Sequence, residues 1–496
     1  MAETEQSIAT RTLRGMFWAY GSYVGGRLLT LVSIAILARV LTPREFGLIA
    51  LALVFMLLFE MLTDLGVSQA LVVAGQDEEL EQAETVFVWG LVIGASFSLL
   101  TAALSPLTAA FFDQPQLTAV LAVLGLRFFI RSLGMTHFTL AQKRLDFRSR
   151  TAAQIADVTT RGITSIALAL AGFGVWSLVL GYLVGNCTWV VTIWRMVRWR
   201  PRLQPQRSHL RPMLSFGGKI TGVSVMTAIG TNMDKLFIGR ALGATDLGLY
   251  SLGFRLPELL ILNLSVVAGQ VLFPAFAALS RERLGRSLAV ALRYTLMIAL
   301  PMAVGLAILA DPLIFALFGD QWGGSVPAMR VLALYALAVA LTIPGGQVLK
   351  ATGRAGILLM ITIPETIMVL AAIWIFVDEG IVAVAACMAG VLGLTALAQT
   401  VISMRLIGVG ARAAWNAVWA PLVATAGLGA VLLLIESAID SPWAAIVAGG
   451  IAGGVTYLGL LWLFARDALL KLRDTALGRG RSEEPRTDLQ GTDVVA

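Results

Sequence analysis

Charged side chains occur inside the apolar stretches of this sequence, where ionised groups are rare because each costs about 3 kcal/mol or more at membrane depth. Such a group faces a water-filled cavity, a partner or a ligand. Arg27 lies near the middle of the first apolar stretch with no acid within a helical turn, so it needs a partner on another helix or an anionic ligand. Guanidinium and ammonium groups bind phosphate oxygens well. The candidates for anion binding are Arg27, Arg127, Arg131, Arg161, Lys235 and Arg255.

Two pairs of charged residues that include these cations have helical spacing within one apolar stretch. Asp157 and Arg161 are four residues apart and share a helix face, so the pattern fits a self-contained ion pair and a binding site equally well. Arg127 and Arg131 have the same spacing. They repel each other unless a ligand anion, or a structural partner such as Asp157, lies between them.

The later part of the chain carries two further charged groupings. Arg255 and Glu258 are three residues apart on either side of Pro257, which removes a backbone donor and disturbs the helix where the charges lie. Asp234 and Lys235 are adjacent, so they point to different faces of one helix. Three acids, Asp157, Asp234 and Glu258, are the candidates for coupling to a proton or a sodium ion.

Other kinds of chemistry lack the residues that they need. The two histidines, His137 and His209, have no second ligand at metal spacing, and the two cysteines are 200 positions apart, so we expect neither a metal site nor a disulfide framework. No GxxxxGK[ST] sequence occurs, so ATP is not the expected direct energy source. We therefore expect a protein that is not an enzyme and needs no cofactor.

The composition identifies the elements that must position these charges. Of 496 residues, 58% are hydrophobic and 14% are charged, with a mean hydropathy of +0.83, which predicts an all-α integral membrane protein. Apolar runs of about 20 residues span a bilayer. They predict fourteen transmembrane helices, at 16–41, 46–73, 85–111, 117–141, 152–172, 174–197, 214–240, 248–274, 288–310, 326–349, 355–377, 380–404, 414–436 and 444–465.

The distribution of positive charge predicts the orientation of these spans. Most of the 37 lysines and arginines fall in the connections on one side of the predicted spans, while the opposite connections hold Arg39, Arg44 and Arg240. Positive residues are retained in the cytoplasm. We therefore expect both termini to be cytoplasmic, in a bacterial inner membrane, and the net charge of +7 to reflect topology rather than nucleic-acid binding.

An internal repeat organises the chain. The segment 36–55 overlays the sequence 201 positions later, with Arg39 on Arg240 and Gly47 on Gly248. Each copy is typical of one helix end, a short turn and the next helix start, and both copies have the same orientation, which predicts two parallel six-helix lobes. The predicted divisions are an N-terminal segment 1–15, an N-lobe 16–197, a basic interlobe linker 198–213, a C-lobe 214–404, two extra helices in 405–465 and a disordered tail 466–496.

Five stretches of the sequence carry a family resemblance. They are LARVLTPREFGLIALA at 37–52, LTDLGVSQALV at 62–72, HFTLAQKRLDFRSRT at 137–151, DKLFIGRALGATDLGLYSLGFRLPE at 234–258 and FGDQWGGSVPAMRVLAL at 318–334. Over about residues 10–410 the chain resembles the polysaccharide exporters of the multidrug/oligosaccharidyl-lipid/polysaccharide superfamily, in particular the lipopolysaccharide and colanic-acid type flippases. The resemblance implies a two-lobed alternating-access transporter that moves undecaprenyl-pyrophosphate-linked oligosaccharides to the outer leaflet.

Three functions are compatible with the sequence. The first is a flippase in which Arg27 and Arg255 face one central cavity and contact the pyrophosphate from opposite sides; its partners would be membrane lipids, a polysaccharide polymerase and glycosyltransferases. The second is a cation-coupled exporter of small molecules such as drugs. The third is a membrane scaffold that recruits glycosyltransferases through the arginine-rich linker, although topology and anionic-lipid binding explain that linker better.

Overall fold

The structure, a computed structural model, describes residues 25–63, 71, 79–204 and 232–476, which form helices and turns with no strand. The long helices, labelled in chain order, are α1 (25–40), α2 (Pro43–Thr63), α3 (Glu79–Phe111), α4 (Gln116–Lys143), α5 (Phe147–Leu170), α6 (Val175–Met196), α7 (232–241), α8 (Gly243–Ala277), α9 (Arg281–Ile308), α10 (Ser325–Ala351), α11 (Ala355–Phe376), α12 (Ile381–Ile407), α13 (Ala411–Ala438) and α14 (Pro442–Ala448, a π turn, then Gly454–Ala476). A short helix, Ala310–Leu317, and a 3₁₀ turn, Asp320–Trp322, join α9 to α10.

Ten of these helices are long and apolar enough to cross a bilayer: α3, α4, α6 and α8 to α14. The protein is therefore a multi-pass membrane protein, as predicted. The predicted spans 16–41, 46–73 and 214–240 extend beyond the described residues, and α5, which carries four charged side chains, is not one of the ten. The full number of fourteen spans stays a prediction.

Helix ends reach further than the apolar runs alone indicate. α9 begins at Arg281 and α8 at Gly243, because polar residues continue a helix beyond the hydrocarbon core. The last helix continues to Ala476, so the first part of the tail that was predicted to be disordered is helical. The segment 1–15, the linker after residue 204 and the tail after residue 476 lie outside the described residues.

The repeated hairpins pack against each other through equivalent residues. A Cβ atom built on Gly47 would lie 1.6 Å from the carbonyl oxygen of Ala244, and one built on Gly248 would lie 1.9 Å from that of Pro43. Under the 201-residue shift Gly47 corresponds to Gly248 and Pro43 to Ala244, so one contact is made twice in opposite senses, as in a twofold-symmetric interface. Only glycine permits this close approach of α2 to α8.

The C-terminal end of α1 is hydrogen-bonded to the second half of the chain, at the same end of the molecule as the contact between the hairpins. The carbonyl oxygen of Ala38 accepts hydrogen bonds from Gln321 Nε2 and from Trp322 Nε1, the latter at 2.7 Å. Arg39 in turn donates to the carbonyl oxygens of Ala316 and Leu317. These contacts satisfy helix-terminal carbonyls that have no partner within their own helix.

The two last helices pack outside the repeat, against α9. A core of buried side chains joins Met297 and Leu309 to α13 and α14, and Tyr457 Oη donates to the carbonyl oxygen of Met297 at 2.7 Å. The main core instead joins α2, α4 and α6 to α8, α10, α11 and α12. The apolar interior is therefore continuous between the two halves near the Gly47–Gly248 contact.

Candidate anion-binding cavity

A cavity of about 460 Å³ lies between the two halves of the chain and is lined by α1, α2, α4, α5 and α6 on one side and by α7 and α8 on the other. One face of α2, from Phe46 to Glu60, forms an apolar wall. The polar lining residues are Glu60, Arg127, Arg161, Asn232, Lys235, Ser251, Arg255 and Glu258. The cavity therefore contains four of the six cations that the sequence singles out.

Arg127 lines the cavity as half of an ion pair. Its Nη2 lies 3.0 and 3.1 Å from the two carboxylate oxygens of Glu60 on α2. The exposed fractions of the side chains are 14% for Arg127 and 35% for Glu60, so water or a ligand reaches the carboxylate more easily. The partner that relieves the Arg127–Arg131 repulsion is thus Glu60, rather than Asp157 as the sequence suggested.

Arg161 lines the same half of the cavity without a carboxylate partner among the described residues. Its guanidinium carbon lies 4.9 Å from the ring centroid of Tyr182, a cation–π contact. No Asp157–Arg161 ion pair forms, and Asp157 Oδ1 is buried without a hydrogen-bond partner in the described chain. A Cβ atom on Gly185 would lie 2.5 Å from that oxygen, so the glycine lets α6 approach α5 here.

Arg131 lies behind the cavity wall. Its Nη1 is 3.4 Å from Asn186 Oδ1, and its guanidinium carbon is 4.8 Å from the ring centroid of Trp189. Both partners belong to α6 and are almost fully buried. Arg131 is therefore placed to hold α4 against α6.

Arg255 lines the half of the cavity that the C-terminal part of the chain contributes. Its Nη1 lies 3.1 Å from Glu258 Oε2, with exposed fractions of 29% and 36%. Pro257 lies between them, and a π turn, Glu258–Leu262, follows directly. Such turns in α-helices often mark functional sites. The irregularity predicted from Pro257 is therefore a π turn beside the cavity.

The π turn also positions a contact to Arg27. Asn263 Nδ2 donates to the carbonyl oxygen of Glu258 at 3.0 Å, and Asn263 Oδ1 accepts from Arg27 Nη2 at 3.2 Å. Arg27 thereby joins α1 to α8 next to the cavity. The requirement for a partner on another helix is met, and a common contact of Arg27 and Arg255 with one ligand stays a prediction.

Asp234 and Lys235 take separate positions at the start of α7. Lys235 lines the cavity, donates to Asn232 Oδ1 at 3.3 Å and lies 5.8 Å from the ring centroid of Phe254. Asp234 is 4% exposed and accepts a 2.8 Å hydrogen bond from Tyr250 Oη, while its Oδ1 has no partner in the described chain. A buried carboxylate with one unsatisfied oxygen is suited to binding a proton or a cation.

The cavity lining contains four cations and two carboxylates. Glu60 pairs with Arg127 and Glu258 with Arg255, whereas Arg161 and Lys235 form no ion pair with a described carboxylate. Aromatic rings lie against both. This arrangement favours an anion that is large enough to reach both halves.

The sequence alone identifies the cations of the cavity, but it does not identify the residues that contact them. Glu60 was recognisable as an acid within an apolar stretch on the same helical face as Phe46 and Leu53. No sequence signal pairs Arg27 with Asn263, because 236 residues separate them. Tyr182 and Phe254 look like ordinary apolar residues of a membrane helix.

Comparison with known proteins places the chain in a family. The model of a family described as polysaccharide biosynthesis protein matches residues 36–327, which is more than half of the chain. The succinoglycan biosynthesis transport protein ExoT of Rhizobium meliloti is 30% identical over 331 residues, covering 66% of each chain and so just under two thirds of that relative. The lipopolysaccharide biosynthesis protein WzxC of Escherichia coli is 27% identical over 399 residues, covering 78% of each chain.

Solved structures have the same fold. The lipid II flippase MurJ in an inward closed conformation gives a TM-score of 0.72 at 14% identity, covering 91% of this chain and 99% of that one. A multidrug resistance MATE transporter gives 0.60 in its inward-facing conformation, at 17% identity over 77% of this chain and 94% of that one. The outward-facing conformation gives 0.51, at 16% identity over 79% and 94%. The chain therefore belongs to the polysaccharide biosynthesis protein family, and it shares its fold with the MurJ and MATE structures.

Proposed function

We propose that this protein is a flippase that moves undecaprenyl-pyrophosphate-linked oligosaccharide from the inner to the outer leaflet of the bacterial inner membrane. The observation that carries the proposal is the surplus of cations in the cavity between the two halves. A pyrophosphate offers several anionic oxygens, which suit guanidinium groups on opposite walls. The names of ExoT and WzxC, biosynthesis proteins for succinoglycan and lipopolysaccharide, support a glycan substrate.

Alternating access is the proposed mechanism. The Gly47–Gly248 contact lies next to the cavity-lining residue Phe46. In this mechanism the contact closes one end of the cavity, and the predicted topology puts that end on the periplasmic side. The higher TM-score against the inward-facing than against the outward-facing MATE structure supports the same assignment. Separation of α2 from α8 would then open the cavity to the outer leaflet.

The driving force follows from the charge of the headgroup. With a negative cytoplasm, outward movement of an anion gains about 2.3 kcal/mol per charge for each 100 mV. Both termini are proposed to be cytoplasmic.

Asp234 is the best placed of the coupling candidates, because Glu258 is occupied by Arg255 and Asp157 lies between α5 and α6.

The cationic lining disfavours export of cationic drugs, because like charges repel in a cavity of low dielectric.

The proposed substrate also implies other proteins that make and use it. Glycosyltransferases must build the lipid-linked oligosaccharide, and a polymerase must consume it after translocation.

A deletion strain tests the proposal. Without this gene, lipid-linked oligosaccharide should accumulate in the inner leaflet while surface polysaccharide is lost, and the plasmid-borne gene should restore both. A strain that exports normal polysaccharide without such accumulation would exclude a flippase. Raised sensitivity to cationic compounds with intact surface glycan would instead indicate a drug exporter.

A further inference from the structure

The segment that follows α6 is extended and fixed to the first half of the chain. Val197, at the end of α6, has extended backbone angles. Val197 and Trp199 are buried, whereas Arg198 and Arg200 between and after them are exposed. The alternation is that of a strand-like segment that lies with one face on the protein. The described beginning of the predicted linker is thus an ordered part of the first half.

Buried partners hold this segment in place. His137 Nε2 lies 3.1 Å from the carbonyl oxygen of Trp199, whose ring packs edge-on to those of His137 and Phe87. Glu84, only 7% exposed, accepts hydrogen bonds from the backbone N–H groups of Arg202 at 2.7 Å and Leu203 at 3.0 Å. A carboxylate that binds two successive N–H groups fixes the backbone direction firmly.

This rigid backbone presents a row of arginines to one large pocket. The pocket, about 1330 Å³, is lined by Arg195, Arg198, Arg200 and Arg202 together with Trp194 and Glu81. All four arginines are exposed, and their side chains make no hydrogen bond or ion pair within the described chain. The nearby carboxylate of Glu84 is already engaged with the backbone. Four unpaired guanidinium groups repel each other, so an anion in the pocket relieves that repulsion.

The position of the pocket indicates which anion it takes. α6 is a membrane-spanning helix that ends at Met196, so Arg198 and Arg200 lie within about 14 Å of the helix end at 3.3 Å per extended residue. Trp194, 37% exposed, lies in the last turn, a location that tryptophan favours at headgroup level. We propose that this pocket binds the phosphate of an anionic phospholipid headgroup, and that the protein carries such a lipid next to its first half.

A lipid is favoured over a protein partner for two reasons. The arginines follow directly after a membrane-spanning helix, where lipid phosphates are found, and the backbone of the segment is already fixed by contacts within the chain. The backbone that carries the arginines is therefore ordered before a small anion binds, which lowers the entropic cost of binding. This lipid is distinct from the proposed transport substrate, because the pocket shares no lining residue with the cavity between the halves.

The test compares two matched variants of the full-length purified protein. R198Q/R200Q removes two exposed arginines from the pocket, and R405Q/R412Q removes two exposed arginines at the α12–α13 connection, so both lose the same charge. Native mass spectrometry in detergent measures retention of added phosphatidylglycerol against phosphatidylcholine. Each arginine near an anionic surface contributes about fivefold to affinity, equivalent to about 1 kcal/mol. We expect about 25-fold weaker phosphatidylglycerol retention by R198Q/R200Q and unchanged retention by R405Q/R412Q.

Four results would overturn the proposal. Equal loss in both variants would indicate a general charge effect, and unchanged retention in R198Q/R200Q would place any bound lipid elsewhere. Displacement of the lipid by inorganic phosphate at equal concentration would indicate a site for free anions. If only co-purification of a glycosyltransferase were lost in R198Q/R200Q, the surface would instead dock a protein.

Discussion

The reciprocal contact between α2 and α8 makes the consequence of one added methyl group calculable. In Gly47→Ala the new Cβ would lie 1.6 Å from a backbone oxygen, whereas an ordinary contact needs 3.4 Å. The helices must therefore separate by about 1.8 Å, the difference between these two distances. Such overpacking costs about 1–3 kcal/mol. Under the proposed alternating access the contact forms only while this end is closed, so the ratio of open to closed molecules should rise about 5- to 150-fold.

A cysteine reporter measures this shift. Leu41, which is 2% exposed at the same end of the molecule, is replaced by cysteine after Cys187 and Cys387 are changed to serine. We expect faster labelling by a membrane-impermeant maleimide in Gly47→Ala, and slower glycan export because the closed state is visited less often. The control is Gly393→Ala in α12, where a Cβ meets nothing within 4 Å. Labelling and export equal to those of the control would refute the assignment of this contact as a closed gate.

Two further predictions concern single side chains at the cavity. Arg255→Ala and Arg27→Ala should each lower export tenfold or more, since a charge-assisted contact contributes about 1.5–3 kcal/mol. Lysine at position 255 should restore export only in part, because it lacks the two-pronged guanidinium. The control is Arg330→Ala, which breaks the pair with Asp311; wild-type export by both cavity variants with normal expression would make those arginines structural. Asp234→Asn should leave the fold intact and remove the dependence of transport on a proton or sodium gradient. Tyr250→Phe, which removes the hydrogen bond and keeps the carboxylate, should retain that dependence. An unchanged gradient response in Asp234→Asn would exclude Asp234 from coupling.

The helical class and the repeat were predictable because both are local properties of the sequence. Apolar runs mark helices wherever they occur, and the 201-residue overlay needs only the order of residues such as Gly47 and Gly248. That these two glycines pack on each other was not predictable. It depends on how two hairpins meet in space, which no local pattern records.

The cations of the cavity were predictable for a related reason. A charge inside an apolar run is costly whatever surrounds it, so Arg161 and Lys235 stand out in the sequence alone. Their partners do not, because the identity of a partner depends on tertiary packing. Glu60 and Asn263 are separated from their arginines by 67 and 236 residues.

Transfer of a lipid-linked oligosaccharide across a bilayer by the purified protein tests the central claim most directly. The protein is reconstituted into liposomes with fluorescent undecaprenyl-pyrophosphate oligosaccharide in the inner leaflet, and a lectin added outside reports its arrival. We predict faster arrival than in protein-free liposomes, and at least a tenfold slower rate with Arg161→Ala combined with Arg255→Ala. Arrival no faster than in protein-free liposomes, or an unchanged rate in the double variant, would contradict a flippase that binds pyrophosphate in this cavity.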